Sequence, residues 1–255
     1  MEWQEISNSW VLLPRKPVGV VHFLGGAFIG TTPNFTYRWL LEQLGKAGYA
    51  TIATPFLNGF DHTAIARSTL NRFENILERL QSTNAISQRY LPIYGIGHSL
   101  GCKLQLLIGS LFAVERAGNI LISFNNYPVR RAIPLMEQLP IDTAALNLEF
   151  VPSPEETNQL IAKHYTIRRN LLIRFTNDNL DQTGSLNPIL QQRFPDMVAA
   201  LTLSGNHLTP LGQQLNWQVG EVFTPLDAVG QWFQQTFSRD LQNLSQEMLR
   251  WLNPC

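Results

Sequence analysis

The segment Val18–Leu24 (VGVVHFL) is apolar at nearly every position, and it constrains the fold more than any other feature of the chain. A strand with one wet face alternates apolar and polar residues, whereas a nearly continuous apolar run needs cover on both faces. Short strand-like runs recur at Trp10–Leu13, Tyr49–Thr54, Leu91–Ile96, Asn119–Ile122, Leu171–Phe175 and Met197–Leu203. Segments with helical spacing lie between them, at Thr36–Lys46, Ala64–Leu80, Leu100–Phe112 and Ser185–Phe194. This alternation predicts an α/β protein with a mostly parallel, doubly wound sheet flanked by helices. A closing helix is expected over Leu226–Leu252, with Val229, Phe233, Phe237, Leu241, Leu244, Met248 and Leu252 along one face. Its charges are mixed rather than basic, so it should dock on the sheet and not on a membrane surface.

The rhythm breaks between Phe124 and about Arg169, where Pro128, Pro134, Pro140, Pro152 and Pro154 punctuate two short helices. The second helix opens with Ser153, Pro154 and Glu156: a cap residue, a proline at the first helical position and the capping-box glutamate. We read 124–169 as a small helical cap inserted into a single domain spanning 1–255, a size normal for one α/β domain. Lys+Arg and Asp+Glu balance at 19 each, which makes no electrostatic case for nucleic acid or an anionic membrane surface. The two cysteines, Cys102 and Cys255, make neither a disulfide framework nor a metal-binding pair, and Cys102 reads as a small buried filler. The N-terminus lacks the basic and apolar regions of a signal peptide, and Val18–Ile29 is too short and Gly-rich to span a bilayer. The expectation is a cytoplasmic protein with no transmembrane segment, metal or cofactor.

Chemistry enters at Gly97-His98-Ser99-Leu100-Gly101, between the strand Leu91–Ile96 and the helix that starts at Leu100. A serine on such a strand-to-helix turn is aimed out of the top of the sheet in a strained conformation. The flanking glycines are needed because side chains there would collide as strand and helix pass closely. The helix N-terminus supplies a positive partial charge near a developing oxyanion. The same residues also spell a dinucleotide-turn variant, Gly95-x-Gly97-x-x-x-Gly101, but that role needs an acid at the end of the next strand. Asn119–Ile122 is followed instead by Ser123-Phe124-Asn125-Asn126. Gly25 to Gly30 resembles a phosphate loop by spacing and lacks its lysine.

A serine nucleophile needs a base, and the chain has five histidines. His22 lies inside a strand, His62 starts a helix, His98 points away from the serine's proton and His164 ends a cap helix. His207 follows the last strand, in Ser204-Gly205-Asn206-His207-Leu208, where it can swing over the sheet edge toward Ser99. The orienting carboxylate is expected in the loop after Leu171–Phe175. Asp178 is the first choice and Asp181 the alternative. The order Ser99, Asp178, His207 is the nucleophile–acid–base order of α/β-hydrolases. An oxyanion hole is expected from the backbone N–H of Leu100 and that of Gly26 or Ala27, after the strand that ends near Leu24.

Together FLGGAFIG, TYRWLLEQL, ATPF, GHSLGCKLQ and LLIRFTNDNLDQT resemble the α/β-hydrolase family called domain of unknown function 1350. The resemblance covers nearly the whole chain. It implies the α/β-hydrolase fold and an origin in photosynthetic bacteria or plastids, and it supplies no substrate. The general α/β-hydrolase pattern carries over to Ser99, Asp178 and His207. The chain departs from it at the oxyanion strand, where the usual His-Gly pair is Leu24-Gly25.

The expected function is a serine hydrolase acting on a carboxylic ester or thioester through an acyl-enzyme on Ser99. Phe124, Tyr127, Leu135, Met136, Leu139 and Phe150 in the cap favour a small-molecule or lipid-like ester with an apolar part. The alternative is a non-catalytic binding or scaffold protein on the same fold.

Overall fold

A computed structural model describes residues 1–88, 90–129, 149–211 and 237–253. Its strands are β1 (Trp3–Ile6), β2 (Ser9–Leu12), β3 (Gly19–Leu24), β4 (Tyr49–Ala53), β5 (Ile93–His98), β6 (Gly118–Ile122), β7 (Asn170–Phe175) and β8 (Val198–Leu203). Its helices are α1 (Pro33–Thr36), α2 (Arg38–Lys46), α3 (His62–Ser82), α4 (Leu100–Leu111), α5 (Pro154–His164), α6 (Thr183–Arg193) and α7 (Phe237–Leu252). The strands form one 8-stranded sheet in the order β1-β2-β4-β3-β5-β6-β7-β8. Only β1–β2 and β2–β4 pair antiparallel. The mostly parallel sheet flanked by helices is the α/β architecture expected from the sequence.

The continuous apolar strands are buried on both faces because alternate residues serve different layers. Val21 and Phe23 of β3 pack with Leu40, Leu41 and Leu44 of α2 and with Leu241, Leu244 and Met248 of α7. Val20 packs on the opposite face with Phe73, Ile76 and Leu80 of α3. Leu24 lies on that same face, with Leu104, Leu107 and Ile108 of α4. The closing helix thus lies on the sheet. Its expected first part, 226–236, with Val229 and Phe233, falls outside the described residues.

Two differences from the sequence reading have clear causes. β1 is absent from the expected list of strands. It forms a hairpin with β2 through Ser7 and Asn8, both in the left-handed region at φ 49° and 55°. That geometry suits a two-residue hairpin turn, whose strongest sequence signal, Asn-Gly, is missing. The second difference concerns α5, expected in the cap. Ile161 is fully buried with Cys102 and Leu106 of α4 and Leu186 and Leu190 of α6. The helix therefore lies in the flanking layer, as a crossover between the parallel strands β6 and β7. Phe124 belongs to the same core cluster. Leu135, Met136 and Leu139 lie outside the described residues.

β3 has β4 on one side and β5 on the other, so the chain reverses its direction of travel across the sheet there. Ligands of open α/β sheets bind at the strand carboxyl ends beside such a switch point. Leu24 pairs with Gly97, which brings the Gly25-Gly26 turn level with His98 and Ser99. Helix α4 then starts against β3 with no room to spare. A Cβ at Gly101 would stand 2.0 Å from the Leu24 carbonyl oxygen, and one at Gly97 would stand 2.6 Å from the Cys102 nitrogen. Gly101→Ala should therefore lower unfolding free energy by about 3 kcal/mol, the upper end for overpacking. Urea unfolding measures it, and an unchanged midpoint would disprove the close approach.

Candidate active site

Ser99 occupies the turn between β5 and α4 at φ 54° and ψ −118°, outside the regions that L-residues favour. Its own N–H donates to the Ile122 carbonyl at 2.9 Å, which ties the turn to β6. Its hydroxyl lies 3.0 Å from His207 Nε2. His207 Nδ1 lies 2.9 and 3.0 Å from the two Asp178 oxygens. The carboxylate can only accept, so Nδ1 carries the proton and Nε2 accepts from the Ser99 hydroxyl. The structure thus joins the three residues that the sequence nominated from separate loops.

Backbone bonds bring the acid and base loops together. The Thr176 N–H donates to Leu203 at 2.9 Å and the Asn177 N–H to Gly205 at 3.0 Å, locking the loop after β7 to the loop after β8. Asp178 also accepts from the Leu180 N–H at 2.9 Å. Burial pushes the Asp178 carboxyl up, but the hydrogen bond and charge of His207 outweigh it and hold the group below its ordinary value. Asp181 points elsewhere. It accepts from the Thr183 N–H and hydroxyl at the start of α6, and burial raises its pKa. Asp178 rather than Asp181 is therefore the carboxylate on His207.

A buried pair unnoticed in the sequence supports this arrangement. His98 Nε2 lies 2.8 Å from the His207 carbonyl oxygen, and its Nδ1 lies 2.8 Å from the Tyr37 hydroxyl. The carbonyl must accept, so Nε2 carries the proton, Nδ1 accepts, and the Tyr37 hydroxyl donates. The Tyr37 oxygen in turn accepts the Gly26 N–H at 2.8 Å. That bond engages the amide of Gly26, one of the two alternatives expected from the sequence; Ala27 is the other. Ala27 and Leu100 both line the cavity. Cys102 is fully buried, with its thiol against the Gly97 and Ile122 carbonyls, and burial pushes its pKa well up.

Ser99 and His207 open into a cavity of about 450 Å³. Its walls include Phe28, Ile29, Phe60, Tyr127, Phe150 and Leu180. Polar side chains also face it: Asn58, Asn125, Asn126, His62, and Lys103 one helical turn beyond Ser99. The spacing from Ser99 to Lys103 was a readable signal for a second residue on the same face. Among the described residues, no three His, Cys, Asp or Glu side chains converge as a metal site would require. None of the described helices is long and apolar enough to cross a membrane.

A hydroxyl bonded to an imidazole that is itself held by a carboxylate can lose its proton as it attacks a carbonyl carbon. A family profile described as "Protein of unknown function (DUF1350)" matches residues 2–254. The chain belongs to this family. No curated protein matches this DUF1350 member. Its fold is that of α/β-hydrolases among solved structures. An esterase from Pyrococcus furiosus is 15% identical, covering 99% of this chain and 94% of that one at a TM-score of 0.59. A soluble variant of monoglyceride lipase from Saccharomyces cerevisiae, in complex with a substrate analogue, is 13% identical over 99% and 94% at 0.60. Dienelactone hydrolase from Anabaena variabilis is 14% identical over 98% and 96% at 0.59.

The buried imidazoles make this DUF1350 protein sensitive to acid. Burial lowers the pKa of His98 to about 3, aided by nearby His207, and lowers that of His62 to about 3, aided by Lys103. Both are neutral in the fold and take up protons on unfolding below about pH 6.5. Their burden on stability is absent above that pH and grows as pH falls toward 3. Urea midpoints should thus drop between pH 6.5 and 5. His62→Phe should remove one proton's worth of slope, about 1.4 kcal/mol per pH unit at full uptake. Equal slopes in the two proteins would contradict this protonation state.

Proposed function

We propose that this protein is a serine hydrolase that cleaves a carboxylic ester or thioester through an acyl-enzyme on Ser99. The observation that carries the reading is the unbroken hydrogen-bonded chain Asp178–His207–Ser99 at the mouth of a largely apolar cavity. Ser99 Oγ attacks the acyl carbonyl carbon while His207 Nε2 takes its proton. Asp178 holds the imidazole and stabilises its charged form. The backbone N–H groups of Leu100 and Ala27 bind the tetrahedral oxyanion, each worth on the order of 3 kcal/mol in the transition state. His207 gives its proton to the leaving alcohol or thiol. Water, deprotonated by the same nitrogen, then attacks the acyl-enzyme and releases the acid.

In this reading the chain is one catalytic domain, with a cap within 124–169 contributing Tyr127 and Phe150 to the cavity. The aromatic walls suit an ester with an apolar part. Similarity in fold to proteins named esterase, lipase and hydrolase supports the reaction class.

A fluorophosphonate probe should label the native protein at Ser99 and leave Ser99→Ala unlabelled. Absence of labelling on the folded native chain would sink the hydrolase reading in favour of a binding role. Asp178→Asn should lower kcat by roughly 10⁴-fold, as expected when the base loses its tautomer and its counter-charge. Asp181→Asn should cost under about tenfold in kcat, because its carboxylate accepts from Thr183 and not from His207. The reverse order would move the acid to Asp181.

A further inference from the structure

Lys103 stands one turn into α4 from Ser99, and residues four apart on a helix share a face. Helical side chains lean toward the N-terminus, so the lysine reaches back toward the Ser99 end of the helix. It is 1% exposed, yet it faces the cavity. Its ammonium donates to the Pro152 carbonyl at 3.0 Å and sits 5.7 Å from the Phe150 ring centre. Among the described residues it forms no ion pair. One of its three N–H donors is thereby accounted for.

A buried ammonium with no carboxylate at ion-pair distance among the described residues costs several kcal/mol, and a methionine would fill the same space at no such cost. His62 adds a second polar group at this end of the cavity. It is 2% exposed and stacks on Phe150 at 4.3 Å, and neither ring nitrogen has a partner among the described residues. An aromatic wall therefore holds a cation and a neutral imidazole with unused hydrogen-bonding capacity.

The geometry points to an anion subsite here: Lys103, with the ring N–H of His62, holds a carboxylate of the substrate whose ester carbonyl sits at Ser99. This inference rests on the hydrolase reading and narrows its substrate class to carboxylate-bearing esters or thioesters with an otherwise apolar body. Ser99 and Lys103 line one cavity, so a short dicarboxylic half-ester is the probe that presents an ester carbonyl to one and a carboxylate to the other.

The charges around the subsite define its pH range. Burial lowers the Lys103 pKa to about 8, opposed by Glu149 ahead of Phe150 and by Glu155 and Glu156 in the first turn of α5. His62, facing it from α3, stays neutral above pH 5. The lysine therefore holds its proton at pH 7 and loses it as pH rises through 8.

Calorimetric titration of the Ser99→Ala protein separates binding from turnover. Monomethyl glutarate should bind at least tenfold more tightly at pH 7 than dimethyl glutarate. Lys103→Met in the same background should abolish that preference, and Lys103→Arg should keep part of it. In Ser99→Ala itself the preference should decline between pH 7 and 9, a readout that needs no lysine variant. Equal or absent binding of the half-ester, a preference that survives Lys103→Met, or one that is flat across that pH range overturns the subsite. Fluorophosphonate labelling of the native chain tests the hydrolase reading separately, so failure of one is distinguishable from failure of the other.

Discussion

The site depends on a backbone contact: the first turn of α4 pressed against the end of β3. At Gly101 the two elements approach so closely that even a methyl group would overlap the Leu24 carbonyl. The approach forces the link between β5 and α4 into a turn of minimal length, and Ser99 accordingly takes a conformation that costs of order 1–3 kcal/mol. Surrounding packing holds the residue there. The same contact aligns the Leu100 amide with the Gly25–Ala27 turn, because β3 and β5 are hydrogen-bonded neighbours. The Ser99 hydroxyl and the Leu100 amide thus owe their placement to one geometric cause.

Around this contact the protein uses fully assigned buried polar groups rather than apolar filling. The run from Gly26 through Tyr37 and His98 to the His207 carbonyl has every donor and acceptor matched. It ties the turn after β3, the Ser99 turn and the loop of His207 into one body. Groups matched in a low-dielectric interior hold their geometry more strongly than the same groups in water. Removing one partner would leave another unpaired at a cost of about 1–3 kcal/mol. His98, beside Ser99 in sequence, thus holds the loop of His207 and bonds to Tyr37 rather than to the serine hydroxyl.

Much of this could be read from the sequence, and the parts that could not have physical reasons. Strands β3, β5, β6 and β7 announce themselves because burial on two faces leaves no polar alternation. Ser99, Asp178 and His207 are legible because each stands just past a strand end, in an order that only one serine-hydrolase topology uses. Tyr37 is not legible, since its partner His98 is 61 residues away and nothing local marks the tyrosine as polar machinery. The Gly26 amide is a candidate donor from sequence, and in the fold the Tyr37 oxygen accepts it. The prolines around helix α5 suggest a cap, whereas the buried Ile161 assigns it to the flanking layer. Proline records where a chain turns and not which layer the next helix joins.

The place of β8 in the sheet has a consequence for durability. It is one of the two edge strands of the described sheet, paired with β7 alone among the described residues, and Ala199, Ala200 and Thr202 along it are exposed. The imidazole hangs from the loop that follows this strand, while the serine is anchored at the centre of the sheet. Local opening of a protein begins where cover is thinnest. Fraying of this border would detach the imidazole while the core and the serine turn stay folded. The reach of the site is set by its centre, and its endurance by its hem.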